Sequence, residues 1–282
     1  VASLVLALCS ALAYGVSDFF GGLAARRVAV LRALVVSYPV SAVLITVAAL
    51  MQGAGHASLT DLAWGAAAGL AMAAAAWTFF LALATGPISI VSPVTALLGS
   101  SVPLAVGLAL GERPHPLALV GVVLALVATV LVSLTPHEHT AADRPFSRPV
   151  ALLTLGAGVS FAASFVFTGR IPAGAGLWPL LAARWTATAA VMIVAFSRGE
   201  LRPPPPGPAL TYAVIIGVLD TTAHVTMLLA LQQTWLSIGS VVVSLFPAVT
   251  VVLAVVLLGE RLTRAQLLGM ALAAAGLVLI GM

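Results

Sequence analysis

Residues 107–121 read GLALGERPHPLALVG, a short charged turn set between two long apolar runs. Upstream the apolar residues extend over 88–111, and downstream over 117–134. A helix rises about 1.5 Å per residue, so roughly 20 apolar residues cross the ~30 Å hydrocarbon core of a bilayer. Both runs are near that length. The charged residues of this stretch, Glu112 and Arg113, fall between them, flanked by Gly111 and Pro114.

Outward from this turn the same pattern fills the chain. Apolar runs fall at 4–25, 31–51, 62–84, 88–111, 117–134, 150–168, 177–196, 209–231, 236–259 and 265–282. Arg26-Arg27, Gln52 to Asp61, Gly86-Pro87 and Gly259-Glu260-Arg261 mark further breaks. Of 282 residues, 62% are hydrophobic and 7% charged, and the mean hydropathy is +1.18. Soluble domains carry roughly 25% charged residues, so this chain could not cover its own surface in water. The pattern predicts an all-α integral membrane protein of ten transmembrane helices with almost no soluble domain. The first run continues past Asp18 and lacks the basic region and cleavage site of a signal peptide, so it reads as a span.

The net charge of +4 does not point to nucleic acid. There is no lysine, and the arginines stand singly or in pairs between apolar runs, where basic residues act as orientation signals. The one cysteine, Cys9, lies inside the first run, which excludes a disulfide framework or a Cys-based zinc site. It reads as a small buried hydrophobe. His137-Glu138-His139 lacks the HExxH spacing of a metal helix and lies in the polar stretch Pro136–Pro149, which reads as a solvated linker. No metal and no cofactor are expected. Pro203 to Pro206 form a stiff, extended connector.

A shift of 148 positions lays Gly111-Glu112-Arg113 on Gly259-Glu260-Arg261. It also matches Leu119 with Leu267, Gly121 with Gly269, Leu124 with Leu272, Leu131 with Leu279, Ala82-Leu83 with Ala230-Leu231, Ser89-Ile90 with Ser237-Ile238, and Ser92 with Ser240. The division expected is a first five-helix repeat over 1–134, a linker over 135–149 and a second five-helix repeat over 150–282. Five is odd, so the second repeat enters the bilayer from the opposite face. Inverted repeats are a transporter architecture with the substrate site near the midplane, because two similar halves can exchange roles by rocking.

Together with Ala13-Tyr14-Gly15-Val16-Ser17-Asp18-Phe19, Ala82-Leu83 before Gly86-Pro87-Ile88-Ser89, and the doubled Gly-Glu-Arg ahead of a Gly-bearing last helix, the chain resembles the drug/metabolite transporter superfamily in its ten-helix EamA-type branch. The first half departs from that family's pattern around Ser37-Tyr38, where many relatives carry an arginine like Arg184. The resemblance implies secondary transport of a small organic metabolite or toxic compound, mostly efflux, across the cytoplasmic (inner) membrane. No ATP-binding motif supports a primary pump. Import or uniport is the alternative within the class. An intramembrane enzyme would need a tight cluster of His, Asp or Cys, to which only Asp220 and His224 come close.

Ionisable groups inside a span cost roughly 2.5–3.5 kcal/mol each on the lenient insertion scale. Asp18, Arg184, Asp220 and His224 stand well inside the runs, and a bundle interior with a wet cavity is their expected place. Asp220 and His224 are four apart and share a helix face. The predicted cavity wall is Tyr14, Asp18, Trp77, Phe80, Ser92, Phe165, Asp220, His224 and Ser240, from helices one, three, four, six, eight and nine. Arg184 stands behind it, able to pair with Asp220. The competing reading of these aromatics and serines is core packing and helix contact. Gly65/Gly69 and Gly107/Gly111 have spacings that suit close helix packing. Pro93, Pro103 and Pro247 are candidate kinks. Glu112 and Glu260 fall at helix C-termini, where the macrodipole disfavours an anion, so pairing with Arg113, Arg261 or other loop groups is expected.

Arg26, Arg27, Arg32, Arg144, Arg148, Arg198, Arg202, Arg261 and Arg264 fall on one membrane face, against Arg113 and Arg170 on the other. The positive-inside rule makes the arginine-rich face cytoplasmic and puts both termini on the opposite face. The partners expected are the lipid bilayer, a small solute and, if transport is coupled, protons; the protein is a monomer or homodimer. Asp220 and His224 are the candidate coupling pair for antiport, with uniport following if Arg184 neutralises Asp220 permanently.

Overall fold

The computed structural model describes residues 2–53, 56–134, 146–259 and 262–281, without the side chains of 80, 83, 84, 88 and 89. The His137-Glu138-His139 tract, Glu260, Arg261 and most of the central linker lie outside the described residues. Among the described residues the chain forms α1 (Ala2–Ala25), α2 (Val30–Gln52), α3 (Leu59–Thr85), α4 (Ile88–Ala109), α5 (Pro116–Ser133), α6 (Arg148–Thr168), α7 (Trp178–Ser197), α8 (Pro208–Leu231), α9 (Leu236–Val243), α10 (Phe246–Leu258) and α11 (Arg264–Gly281). The α9 and α10 helices make one crossing, so ten segments are long and apolar enough to span a membrane.

Helix ends follow local chemistry. The α3 helix starts three residues before its apolar run because Ser58 and Asp61 form a reciprocal cap: Asp61 N–H donates to Ser58 Oγ (3.2 Å) and Ser58 N–H to Asp61 Oδ2 (2.8 Å). Thr263 and Gln266 do the same for α11, with both bonds at 3.1 Å. Of the prolines expected to kink helices, Pro93 and Pro103 sit inside an unbroken α4, while Pro247 accompanies a true break. A proline nitrogen cannot donate to the carbonyl four residues back. Leu245 N–H turns to Val242 O (3.2 Å) and Ala248 N–H to Leu245 O (3.0 Å), a tighter i to i−3 turn between α9 and α10.

The two five-helix repeats are inverted and interleaved. Exchanging them sends α1, α2, α3, α4 and α5 to α6, α7, α8, the α9–α10 crossing and α11. Under this exchange the α1–α8 contact becomes α6–α3, α2–α8 becomes α7–α3, and α4–α6 becomes α9–α10 against α1; all are present. The symmetry reaches single residues. A Cβ on Gly121 would lie 2.6 Å from Gly276 O, and one on Gly269 would lie 3.1 Å from Ala128 O. Those are one contact seen twice, because 269 − 148 = 121 and 276 − 148 = 128.

Gly65 and Gly69 admit α7 closely: a Cβ at either would overlap the carbonyl of Pro179 or Ala183. The Gly107/Gly111 spacing is different. Gly107 packs under the Glu112 carboxylate, but Gly111 lies past the end of α4 at φ +97°, with open space around it. It serves a left-handed turn and not a helix interface. Cys9 also departs from expectation: it is exposed, on the outer surface of α1 with Val5, Leu8 and Leu12. In a membrane protein that surface faces lipid, so an apolar thiol is stable there.

The bundle is sealed toward the arginine-poor face and loose toward the other. Ala7, Phe165, Met227, Leu231, Leu236, Val242 and Val243 form one core joining α1, α6, α8 and α9 in the arginine-poor half. In the arginine-rich half the clusters are separate: Ala24, Ala33 and Ala213 join α1, α2 and α8, and Ala82, Val91 and Val150 join α3, α4 and α6. Every α9 residue but Ile238 is buried, while α10 buries none. One further contact locks the sealed end. Glu112 accepts from the backbone N–H of Leu236 (2.8 Å) and Ser237 (2.9 Å), so it caps the α9 N-terminus of the opposite repeat, where an anion is favoured. Arg113 meanwhile donates to Leu108 O (3.2 Å) and Glu112 O (3.0 Å) at the end of its own helix. The expected offset for the Glu112 charge is therefore a foreign helix dipole, with Arg113 satisfying carbonyls.

Candidate functional site

Near mid-span, α1, α2, α7 and α8 bring Tyr14, Tyr38, Arg184, Asp220 and His224 together. Three local features set the spacing. Gly217, one turn before Asp220, lets α2 approach so closely that a Cβ there would lie 2.7 Å from Ser37 O. Ser10 Oγ donates to Ala223 O (2.8 Å), holding α1 on α8. Thr250 Oγ1 donates to Gly15 O (2.9 Å), holding α10 on α1.

Arg184 organises the cluster. Its Nη2 lies 2.8 Å from Asp220 Oδ2 and also faces the His224 imidazole. The guanidinium carbon lies 5.7 Å from the Tyr38 ring centroid, within cation–π reach. The Tyr14 hydroxyl lies 3.0 Å from the His224 ring nitrogens and 3.8 Å from Met227 Sδ. The Arg184 side chain is 2% exposed and that of Asp220 19%, so the guanidinium is enclosed while the carboxylate stays partly exposed. A small void of about 20 Å³ adjoins Arg184 and His224, bounded by Ser164, Thr168 and Met227 among others.

The predicted wall residues do not all gather here. Asp18 lies one turn from Tyr14, is exposed, and interacts electrostatically with Asp220. Among the described residues it has no hydrogen-bond or ion-pair partner. Phe165 is buried in the sealed core. Ser240 donates to Leu236 O (2.6 Å) within α9, and Ser92 is half-buried on α4. Trp77 lies elsewhere, on an apolar pocket of about 230 Å³ between α2, α3 and α7, with Val30, Leu34, Leu70, Ala73 and Val191. Its ring centroid is 4.9 Å from the Arg198 guanidinium. The Phe80 side chain lies outside the described residues. Sequence reasoning passed over Met227, although it sits three residues after His224 on the same face of α8.

Arranged this way, the cluster offers an enclosed ion pair and a hydrogen-bonding imidazole and phenol, with one exposed carboxylate, Asp18, a turn away from Tyr14. That combination suits binding and release. No group of three or more His, Cys, Asp or Glu able to hold a metal ion occurs among the described residues.

A model of the EamA-like transporter family matches residues 1–134 and 148–282. No curated protein matches the chain. Among solved structures, one described only as the crystal structure of a protein superposes with a TM-score of 0.77 at 17% identity, covering 98% of this chain and 95% of its own. At that identity the likeness concerns the fold alone.

Proposed function

The chain belongs to the EamA-like transporter family, so it is a multi-pass membrane transporter of small solutes, and on that footing we propose that it exports a small organic solute across the cytoplasmic membrane by alternating access. The observation that carries this reading is the polar cluster at mid-span, closed off from one face by the shared core and the Glu112 cap, with Asp18 exposed toward the other. Ionisable groups held at membrane depth beside a cavity belong to a solute or ion path.

The charge distribution supports the direction proposed. Arg26, Arg27, Arg32, Arg148, Arg198, Arg202 and Arg264 lie at the open end, and Arg113 and Arg170 at the sealed end. Under the positive-inside rule the open end is cytoplasmic, which is where an exporter loads. The relay to the other state would open the α1–α6–α8–α9 core and close the arginine-rich half, with the break at Ser244-Leu245 letting α9 and α10 move separately.

Proton coupling is the finer part of the reading. The Asp220–His224 pair does not stand alone, since Arg184 contacts both, so Asp18 is the carboxylate with freedom to exchange a proton for a solute. The test is flux in proteoliposomes under an imposed pH gradient. Movement of a solute against its own gradient, lost in Asp18→Asn, supports antiport. Downhill movement only, indifferent to the pH gradient, makes the protein a uniporter.

A further inference from the structure

We infer that the site takes an organic cation, with Asp18 as its counter-ion; this rests on the transporter reading and names the solute class for that same site. The argument is one of position and charge. Along α1, Ala7, Ala11, Tyr14, Asp18 and Gly22 recur at intervals of three or four and share one face. Ala7 and Ala11 are buried, Tyr14 is half-buried, and Asp18 and Gly22 are exposed. The face that packs against the bundle at the sealed end is therefore uncovered at the open end. Asp18 looks into that opening and not toward lipid, which the stripe of Val5, Leu8 and Leu12 meets.

The charges there do not balance. Arg184 is the one cation of the mid-span cluster and is committed to Asp220 at 2.8 Å. Asp18 remains without a partner of opposite sign among the described residues, and Asp220 adds a second negative charge to its surroundings. A lone carboxylate at membrane depth is costly, and a bound cation removes that cost. A solute carboxylate would gain little: the guanidinium that could hold it is 2% exposed, against 19% for Asp220, and Asp18 is exposed. The Tyr14 ring, one turn from Asp18 on the same face of α1, lies 6.1 Å from that of Phe246, and aromatic faces of this kind attract a cation.

The test uses the purified full chain in detergent and three probes on one aromatic frame: benzyltrimethylammonium, 2-phenylethanol and phenylacetate. Thermal unfolding is followed as each is titrated. Benzyltrimethylammonium alone should raise Tm, and Asp18→Asn should weaken that response at least tenfold while Asp18→Glu retains most of it. Asp18→Asn must elute as a single species with an unliganded Tm near wild type; Asp18→Glu keeps the question open to decision if it does not, because loss of cation binding there also counts against the idea. Stabilisation by phenylacetate, stabilisation by none of the probes, or an Asp18→Asn response equal to wild type overturns it. Solute exchange in liposomes without cation preference would overturn this inference and leave the transporter reading standing; absence of any exchange would sink that reading instead.

Discussion

Arg184 Nη2 and Asp220 Oδ2 stand 2.8 Å apart, joining α7 to α8 with one partner almost wholly enclosed and the other partly exposed. Removing the carboxylate strands a buried cation, at a cost of about 3–5 kcal/mol for breaking one side of a buried pair. Asp220→Ala should therefore lower both Tm and the yield of monodisperse protein. Replacing both partners, as Arg184→Met with Asp220→Leu, should recover most of the stability, because no charge is left alone. Thermal unfolding of the single and double variants checks this, and an unchanged Tm in Asp220→Ala contradicts it.

Glu112 reaches from the α4–α5 turn to the N-terminus of α9. Glu112→Ala removes two charge-assisted bonds to Leu236 and Ser237, each worth about 1.5–3 kcal/mol in general. It should loosen the sealed end. A cysteine at Ser237 in a Cys9→Ser background should react with a water-soluble maleimide slowly when Glu112 is intact and several-fold faster in Glu112→Ala. Equal rates would show that this cap does not hold the face shut.

Close glycine contacts set the helix spacing in both repeats. Gly121→Leu would drive a side chain into the Gly276 backbone, and backbone cannot yield as a flexible side chain can. Loss of folded protein is expected. Gly22→Leu, where an added Cβ meets nothing within 4 Å, should express like wild type. The paired expression levels by size-exclusion chromatography decide the point.

Orientation is open to direct labelling. In a Cys9→Ser background, Arg113→Cys should react with an impermeant maleimide on intact cells, and Arg202→Cys should react only after permeabilisation. The reverse pattern turns the protein over in the membrane and makes the open state of this structure face outward.

The ten crossings were legible because hydrocarbon thickness fixes run length, and the repeat because Gly-Glu-Arg recurs at one interval. The Tyr14, Arg184, Asp220 and His224 group could be nominated because few polar groups enter a span without cause. The pairing of Arg184 with Asp220 could be anticipated from their places on consecutive spans, but the arrival of Tyr14 and Tyr38 beside them could not, since only the interleaving of the repeats brings α1 and α2 against α7 and α8. Trp77 shows the limit: its neighbours in sequence are small, but the pocket it borders is built from α2 and α7. Glu112 shows another. Sequence assigns it to the end of α4, where its charge is disfavoured, and only the fold brings the start of α9 within reach.

Solute counterflow tests the central claim most directly. Liposomes holding the purified protein are loaded in turn with unlabelled members of a panel of small organic cations, amino acids, sugars and carboxylates, then diluted into a trace of the same labelled compound. A transporter working by alternating access gives a transient accumulation of label above equilibrium for at least one compound, abolished in Asp220→Ala and absent from protein-free liposomes. Folded protein that produces no such overshoot for any member of the panel contradicts the account.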